Sequence, residues 1–314
     1  MTAYIVRRSV QSLPTLILIS MVVFGILALA PGDPLGQLAA NPDVPPQVRQ
    51  LILHQMGLDQ PIPIRYVKWA VAFLHGNWGY SFASHVQVNR LILQRLPTDL
   101  WVIGSAYLFA VLLAIPIGVL SAVKQYSLLD QIATTLAFIG FSLPTFFTGI
   151  VFIIIFSIRL HWFPFIYSVE VHGPVAWAKQ AVMPVAVLAL FQGAALMRFV
   201  RSSMLDNITM DYVRTARAKG LTTWKVIVRH VLRNGLIPVI TLLALGVPAI
   251  FTGAVVTEQI FRVPGIGSLL IASIENSDTP VVMAITFVYA ILVVIFNLIA
   301  DIFYGNLDPR ITYG

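Results

Sequence analysis

The stretch DYVRTARAKG, residues 211–220, is a short basic segment enclosed by long apolar sequence. The apolar run 180–197 precedes it and the run 234–257 follows it, and neither contains Asp, Glu, Lys or Arg. A helix of about 20 residues crosses the hydrocarbon core of a bilayer, so each run can span a membrane. The segment therefore predicts a polar connector at a membrane surface, which extends from Arg198 to Gly235.

The rest of the chain has a similar composition. Of its 314 residues, 58% are apolar and 11% are charged, whereas soluble domains have about 25% charged residues. A charge-free stretch at 69–89 is too polar to insert. Six other charge-free runs predict an all-α membrane protein with six transmembrane helices: 9–32, 100–123, 131–158, 180–197, 234–257 and 279–300.

The placement of Lys and Arg predicts the orientation. With the N-terminus in the cytoplasm, the cytoplasmic segments hold twelve basic and five acidic residues, and the opposite side holds eight of each. The formal charge of +7 thus falls on one side, and nucleic-acid binding is not needed to explain it. We expect both termini in the cytoplasm and a cytoplasmic hairpin between helices 4 and 5. The first run follows Arg7 and Arg8 as in a signal peptide, but it is longer than a usual signal-peptide core, so we expect a retained span.

Three parts are expected along the chain. Residues 1–30 form the cytoplasmic N-terminus and first helix, and residues 31–98 form a long periplasmic or extracellular segment. Residues 99–314 hold the other five helices and the connector, about 199–235. The outer segment predicts two amphipathic helices, at 48–56 and 66–74, which serve either as an interfacial apron or as a docking surface for an external partner.

Proline residues interrupt several of the predicted spans. Those at Pro144 and Pro248 predict kinks in the third and fifth helices. Such kinks are ordinary in membrane helices, where neighbouring groups satisfy the freed carbonyls. They also allow the alternative that both helices flex around a pathway.

The connector itself predicts two short helices. Asp211 is expected to cap the first helix, Arg217 to lie in its last turn, and Gly220 to end it in a left-handed conformation. A second helix, beginning near Thr222 or Thr223, would carry one apolar face. A basic amphipathic helix of this kind either lies on a membrane surface or enters a groove of a partner. The residues of that face are Trp224, Ile227, Val228 and Val231.

The segment YVRTARAKGL at 212–221, followed by RHVLRN at 229–234 and by Pro238, resembles the EAA loop of ABC importer permeases. The resemblance is specific to the dipeptide, oligopeptide and nickel branch. Arg214 stands where the general motif has glutamate, so an ion-pair role of that glutamate is not carried over. Further segments resemble the same branch in the same order: PGDP at 31–34, GLD at 57–59, HGNWGYS at 75–81, FRVPGIG at 261–267 and LDPR at 307–310.

The resemblance implies a permease subunit of an ATP-driven importer for di- or oligopeptides or related small solutes, in a bacterial or archaeal cell membrane. This subunit would form half of the translocation pathway and couple to ATPases through the 211–233 loop. The implied partners are a second homologous permease in a heterodimer, two cytoplasmic ABC ATPase subunits, an external substrate-binding protein and membrane lipid.

Three sets of site residues are expected on this basis. The ATPase contacts are Asp211, Tyr212, Arg214, Ala216, Arg217, Gly220 and Arg229. The pathway residues are Phe138, Ser142, Gln192 and Phe251. The residues that meet the binding protein are Asp33 and Trp78.

Catalysis by this chain is not expected. None of its five lysines follows a glycine, so no P-loop is present; ATP and Mg²⁺ are expected on partner subunits, with no cofactor in this chain. It has no cysteine, and its histidines show no metal-ligand spacing. The alternative is an ion-coupled secondary transporter or a channel subunit, which holds ionisable residues at mid-membrane. Asp99, Arg198, Glu258 and Asp301 lie at the edges of the apolar runs, where we expect them to reach water.

Overall fold

The computed structural model describes residues 2–29, 54, 59–168, 170–171, 173–248 and 254–307, with the backbone alone at 2–6 and 302–307. Within these ranges the chain is helical and has no β-sheet. The predicted helix at 48–56 and the PGDP and GLD segments lie outside the described residues, apart from His54 and Asp59. The helices are α1 (Thr2–Leu29), α2 (Ile62–Leu74), α3 (Val88–Val123), α4 (Leu128–Ser142), α5 (Thr145–Phe152, continued by a π-helix Ile153–Arg159), α6 (Pro174–Ile208), α7 (Asp211–Ala218), α8 (Thr223–Val226), α9 (Leu232–Gly246, joined to α8 by a π-helix Ile227–Val231), α10 (Val255–Phe261), α11 (Ile266–Glu275) and α12 (Thr279–Leu307).

Five described helices are long and apolar enough to cross a membrane: α1, α3, α6, α12 and the continuous helix Thr223–Gly246. The third predicted span, 131–158, is not one helix, because α4 and α5 meet at 104°. Leu143 and Pro144 cause this break: proline lacks an N–H and disfavours helical geometry in the residue before it, and Leu143 has φ −83° and ψ 128°. A kink was expected at Pro144, but a break into two helices was not.

The packing of α3 against α6 forms the centre of the bundle. A Cβ on Gly118 of α3 would lie 2.8 Å from the carbonyl oxygen of Met197, and one on Gly193 of α6 would lie 3.5 Å from the Cα of Ala110. The two backbones are therefore in contact, as small residues permit between membrane helices. Because residue numbers rise together along the contact, α3 and α6 run parallel. The small residues recur every fourth position along α3, and all are buried: Ala106, Ala110, Ala114, Gly118 and Ala122.

Helices α1 and α12 pack against each other and run antiparallel. At one end of the bundle, Arg8 Nε of α1 lies 3.4 Å from Asp301 Oδ2 of α12. Toward the other end, the ring of Trp69 in α2 lies 5.6 Å from Phe24 of α1 and 5.3 Å from Phe287 of α12. The predicted helix at 66–74 is thus confirmed as part of α2, and it packs on the bundle through aromatic rings.

Helices α10 and α11 form an elbow before α12, with 89° between them. Arg262 in the left-handed conformation ends α10. At the end of the elbow, Asp278 accepts hydrogen bonds from Ser81 Oγ and from the backbone N–H of Phe82, the latter at 3.0 Å. The loop after α2 is thereby fastened to the start of α12. We call this side of the bundle the elbow end, and the side that carries α7 the hairpin end.

Candidate functional site

The hairpin between α6 and α9 consists of α7 and α8 joined by a turn at Gly220. Gly220 has φ +77°, the left-handed conformation predicted for it, in which residues with a Cβ are strained. Arg217 lies in the last turn of α7, also as predicted. Asp211 does not cap the helix: Met210 holds the N-cap position, and Asp211 is the first helical residue. Its carboxylate still lies in the first turn, where the helix dipole favours negative charge.

A hydrophobic core lies directly beneath α7. Val213 is fully buried and Ala216 is 5% exposed, in one cluster with Val200 of α6. In addition, the Tyr212 hydroxyl donates a hydrogen bond to Asn207 Oδ1 at 2.8 Å. Ala216 was expected on the contact surface, but it faces inward because it lies three residues after Val213 on the same face of the helix. Its side chain therefore supports α7 from below.

The second helix of the hairpin has a different buried face from the one predicted. Ile227 and Val231 are buried as expected, together with Val226, but Trp224 is 66% exposed and Val228 is 41% exposed. The helix passes at once into a π-helical turn, which holds more residues per turn than an α-helix and so shifts its phase. The indole ring of Trp224 therefore faces away from the core.

The outward face of the hairpin is basic. Its one acid, Asp211, contacts Arg214 with 3.4 Å between Oδ1 and Nη1, and both side chains are largely exposed. Exposed pairs of this kind contribute little to stability, so the cations of the face remain available to a partner. We define the coupling surface as Gly220 and the exposed side chains of Tyr212, Arg214, Arg217, Lys219, Trp224, Lys225 and Arg229.

An ion-pair network joins α4 to α6 at the same end. Arg201 donates to Asp130 from Nε to Oδ1 at 2.7 Å and from Nη2 to Oδ2 at 2.9 Å. Asp130 is 4% exposed, and it also accepts from Ser121 Oγ of α3 and from the backbone N–H of Tyr126. A bidentate pair of this kind fixes the geometry of both groups. The pair is not predictable from the sequence, because 71 residues separate its members and no local spacing indicates it.

The predicted pathway residues fall partly on one exposed face of α4. Phe138 is 50% exposed, and Ser142, the last residue of α4, is exposed too. The guanidinium carbon of Arg198 in α6 lies 4.2 Å from the centroid of the Phe138 ring, which is a cation–π contact that the sequence did not predict. Gln192 lies on α6 and is half-buried. Phe251 lies outside the described residues.

The two predicted docking residues have different outcomes. Asp33 lies outside the described residues. Trp78 is half-buried and its ring stacks on Phe73, with 4.9 Å between centroids and 6° between planes, so Trp78 contributes to the packing of α2.

Between α5 and α6, also at the elbow end, a cavity of about 740 Å³ is lined in part by Trp162, Lys179 and Gln180.

The expectation that Asp99 and Glu258 reach water is wrong. Asp99 is 0% exposed and Glu258 is 2% exposed, because the turn between α10 and α11 folds over both carboxyl groups. Asp99 Oδ2 accepts from the N–H of Ile266 at 2.8 Å, and Glu258 Oε2 accepts from that of Ser268 at 2.7 Å. The sequence did not indicate that two acids pack beneath this turn.

Comparison with known proteins places this chain in a family. Residues 114–313 match the family described as "Binding-protein-dependent transport system inner membrane component". Residues 1–103 match the N-terminal part of membrane components of the same systems. The chain belongs to this family.

Individual relatives agree along the whole length. The oligopeptide transport system permease protein AppB of Bacillus subtilis is 40% identical, with all of both chains covered. The glutathione transport system permease protein GsiC of Salmonella paratyphi A is 34% identical with the same coverage. A putative peptide permease protein of Brucella suis is 35% identical over 99% of each chain.

The resemblance seen in the sequence is thus confirmed. The chain is a multi-pass protein of the cytoplasmic membrane and a permease subunit of an ABC importer of the peptide and oligopeptide permease family. Such a subunit works with the other components of its transporter.

Proposed function

We propose that ATPase subunits drive this permease through the coupling surface. The observation that carries the proposal is the construction of the hairpin: a basic outward face lies on the buried core of Val213 and Ala216. The same core includes Val200 of α6, and Ser203 Oγ donates to the carbonyl oxygen of Gly235 in α9 at 2.7 Å. A force applied to α7 therefore reaches two long helices directly, as a rigid lever requires.

The direction of the helices supports six crossings of the membrane. Because α3 and α6 run parallel, the segment between them returns the chain to the elbow end, and α4 and α5 together make that crossing. The turn of the elbow lies near Asp99, and the end of the elbow lies near Ser81. Helices α10 and α11 therefore begin and end at the elbow end of the bundle and make no crossing. The crossings are then α1, α3, α4 with α5, α6, α8 with α9, and α12, which leaves both termini at the hairpin end, on the cytoplasmic side.

The proposed division of the chain follows from this topology. Residues 1–30 form the N-terminus and first span, residues 31–98 lie outside the membrane as a segment that meets the binding protein, and residues 99–314 form the permease core. The exposed face with Phe138, Ser142 and Arg198 belongs to the pathway, together with Gln192 and Phe251. Six helices supply half of a pathway, so a second homologous permease completes it.

The partners and cargo are proposed from the relatives. Two ATPase subunits, which bind ATP and Mg²⁺, lie on the side of the membrane that carries the coupling surface. An external binding protein delivers the substrate from the other side. Short peptides are the proposed cargo, since relatives over the full length are named for oligopeptide, glutathione and peptide transport.

Charge reversal on the hairpin tests the proposal. The variant Arg217→Glu should lose most ATP-driven uptake by the reconstituted transporter, because it places an acid where the partner meets cations. Lys179→Glu is the matched control: Lys179 is exposed on the same chain but near the opposite end of α6, and its reversal should leave ATPase coupling intact. Equal effects of the two substitutions on ATP-driven uptake would contradict the proposal.

A further inference from the structure

Two buried acids at the elbow end, Asp99 of α3 and Glu258 of α10, converge on one turn. Each uses one carboxyl oxygen to accept a backbone N–H from the start of α11, Ile266 for Asp99 and Ser268 for Glu258. The other two oxygens, Asp99 Oδ1 and Glu258 Oε1, are buried without a hydrogen-bond partner among the described residues. Unpartnered buried oxygens of this kind are costly unless a further ligand satisfies them.

The two carboxyl groups are also close to each other. A Cβ on Gly265 would collide with Asp99 Oδ1 and with Glu258 Oε2 at once, so one oxygen of each carboxyl group lies beside the same backbone position. At Gly267 a Cβ would lie 3.0 Å from Glu258 Oε1. Glycine at these two positions is what allows the acids to approach.

Charges nearby do not balance two carboxylates. Among the described residues, Arg95, one turn before Asp99 on α3, is the only basic side chain with an electrostatic effect on either acid, and no ion pair found there includes Asp99 or Glu258. Two adjacent carboxylates in a water-excluded site repel each other strongly, and a proton on one of them removes the repulsion.

We propose that Asp99 and Glu258 form a proton-binding site, in which one proton is shared between the two carboxyl groups. The protonated carboxyl group shares an O–H hydrogen bond with its neighbour, which gives the unpartnered Asp99 Oδ1 a partner. The shared proton then holds α3 against the elbow. When the proton leaves, both groups are ionised, and the contact between α3 and the turn at Gly265 is weakened.

A metal cation fits the same place less well. Cations such as Ca²⁺ take six or more oxygen ligands, and no group of three or more potential acidic, His or Cys ligands occurs in the part of the chain that the structure describes. A proton needs only the two oxygens.

Infrared spectroscopy of the full chain in lipid nanodiscs, with the subunits that co-purify, tests the site. The wild type should show the carbonyl band of a protonated, hydrogen-bonded carboxylic acid at neutral pH. Asp99→Asn and Glu258→Gln should each remove that band, because the amide supplies the donated hydrogen and leaves the other acid ionised. Asp278→Asn is the control: Asp278 already accepts from Ser81 Oγ and two backbone N–H groups, so this substitution should leave the band unchanged.

Thermal unfolding supplies a second readout that does not depend on the variants folding well. As pH rises through the range where the band disappears, the wild-type melting temperature should fall, since the folded state then loses a proton that it binds preferentially. A linked single proton changes the unfolding equilibrium constant by up to tenfold per pH unit. Asp99→Asn should show a flatter profile.

Three results would overturn the proposal. They are a wild type without a protonated carboxyl band, a band that persists in both variants, and a melting temperature that depends on Na⁺ rather than on pH when NaCl replaces choline chloride. The Na⁺-dependent result would show that the two acids bind a cation and not a proton.

Discussion

At the scale of single residues, the pair of Asp130 and Arg201 holds three helices together at the hairpin end. Asp130 is buried, and its carboxylate oxygens accept hydrogen bonds from α3, from the loop after α3 and from α6. Removal of one partner from such a pair leaves the other charge without compensation, at a cost of about 3 kcal/mol or more.

We predict that Asp130→Asn lowers the melting temperature of the purified protein by several degrees. Asp206→Asn is the control, because Asp206 is an exposed acid on α6 near the same end, and it should have almost no effect. Arg201→Lys should be intermediate, since lysine keeps the charge but not the planar fork. If Asp130→Asn and Asp206→Asn melt alike, the network does not stabilise the fold.

Gly220 allows a second prediction at this scale. A Cβ there would meet no atom within 4 Å, so only its φ of +77° opposes substitution. We expect Gly220→Val to disturb the turn between α7 and α8 and to raise several-fold the ATP hydrolysed per substrate imported. Gly220→Asn should couple normally, since asparagine tolerates this conformation. Normal coupling in the valine variant would argue against a rigid turn.

The sequence predicted local residue features well and long-range ones poorly. Gly220 and Arg217 lie where the connector pattern placed them, because turn and helix-end preferences depend on a few neighbouring residues. Asp99 and Glu258 were assigned to water from their place at the edges of apolar runs. The burial of Asp99 depends on a turn 167 residues further along the chain, and no local pattern contains that information. The turn that covers Glu258 is only ten residues away, but the apolar-run pattern does not show that it folds back over the carboxyl group.

At the scale of helices, the close contact of α3 and α6 depends on small residues. We predict that Gly118→Val costs about 3 kcal/mol, at the upper end of what overpacking usually costs, because even its Cβ would lie 2.8 Å from a backbone oxygen of α6. Gly104→Val is the matched control on α3, since a Cβ at Gly104 meets nothing within 4 Å. Thermal unfolding of both variants is the measurement, and equal losses would contradict close packing at Gly118.

Helix existence was easier to predict than helix shape. In the part of the chain that the structure describes, each of the six charge-free runs overlaps at least one helix, since long apolar sequence has few alternatives in a membrane. The third run was expected as one helix with a kink, but Pro144 divides it into α4 and α5. The buried face of the second hairpin helix was also partly wrong, because a π-helical turn changes the spacing and the 3.6-residue period does not apply across it.

At the scale of the whole molecule, the side to which the sequence assigns the basic residues agrees with the directions in which the helices run. The excess of basic residues was assigned to one side from the sequence, and the contacts bring the hairpin, the pair of Arg8 and Asp301 and the network of Asp130 to one end of the bundle. The partners on either side were not predictable from the residues alone and came from the family resemblance. The coupling surface is the feature through which this end would receive force.

The most direct test is cross-linking from the hairpin. The chain has no cysteine, so Ala218→Cys, at an exposed position of α7, introduces a single reactive thiol, and Lys179→Cys does the same near the elbow end. In the assembled transporter, we predict that Ala218→Cys cross-links to an ATPase subunit and reacts with an impermeant maleimide only after the membrane is opened, whereas Lys179→Cys reacts in intact cells and does not cross-link to the ATPase. Labelling of the Ala218→Cys variant in intact cells, or its failure to reach an ATPase subunit, would contradict the account.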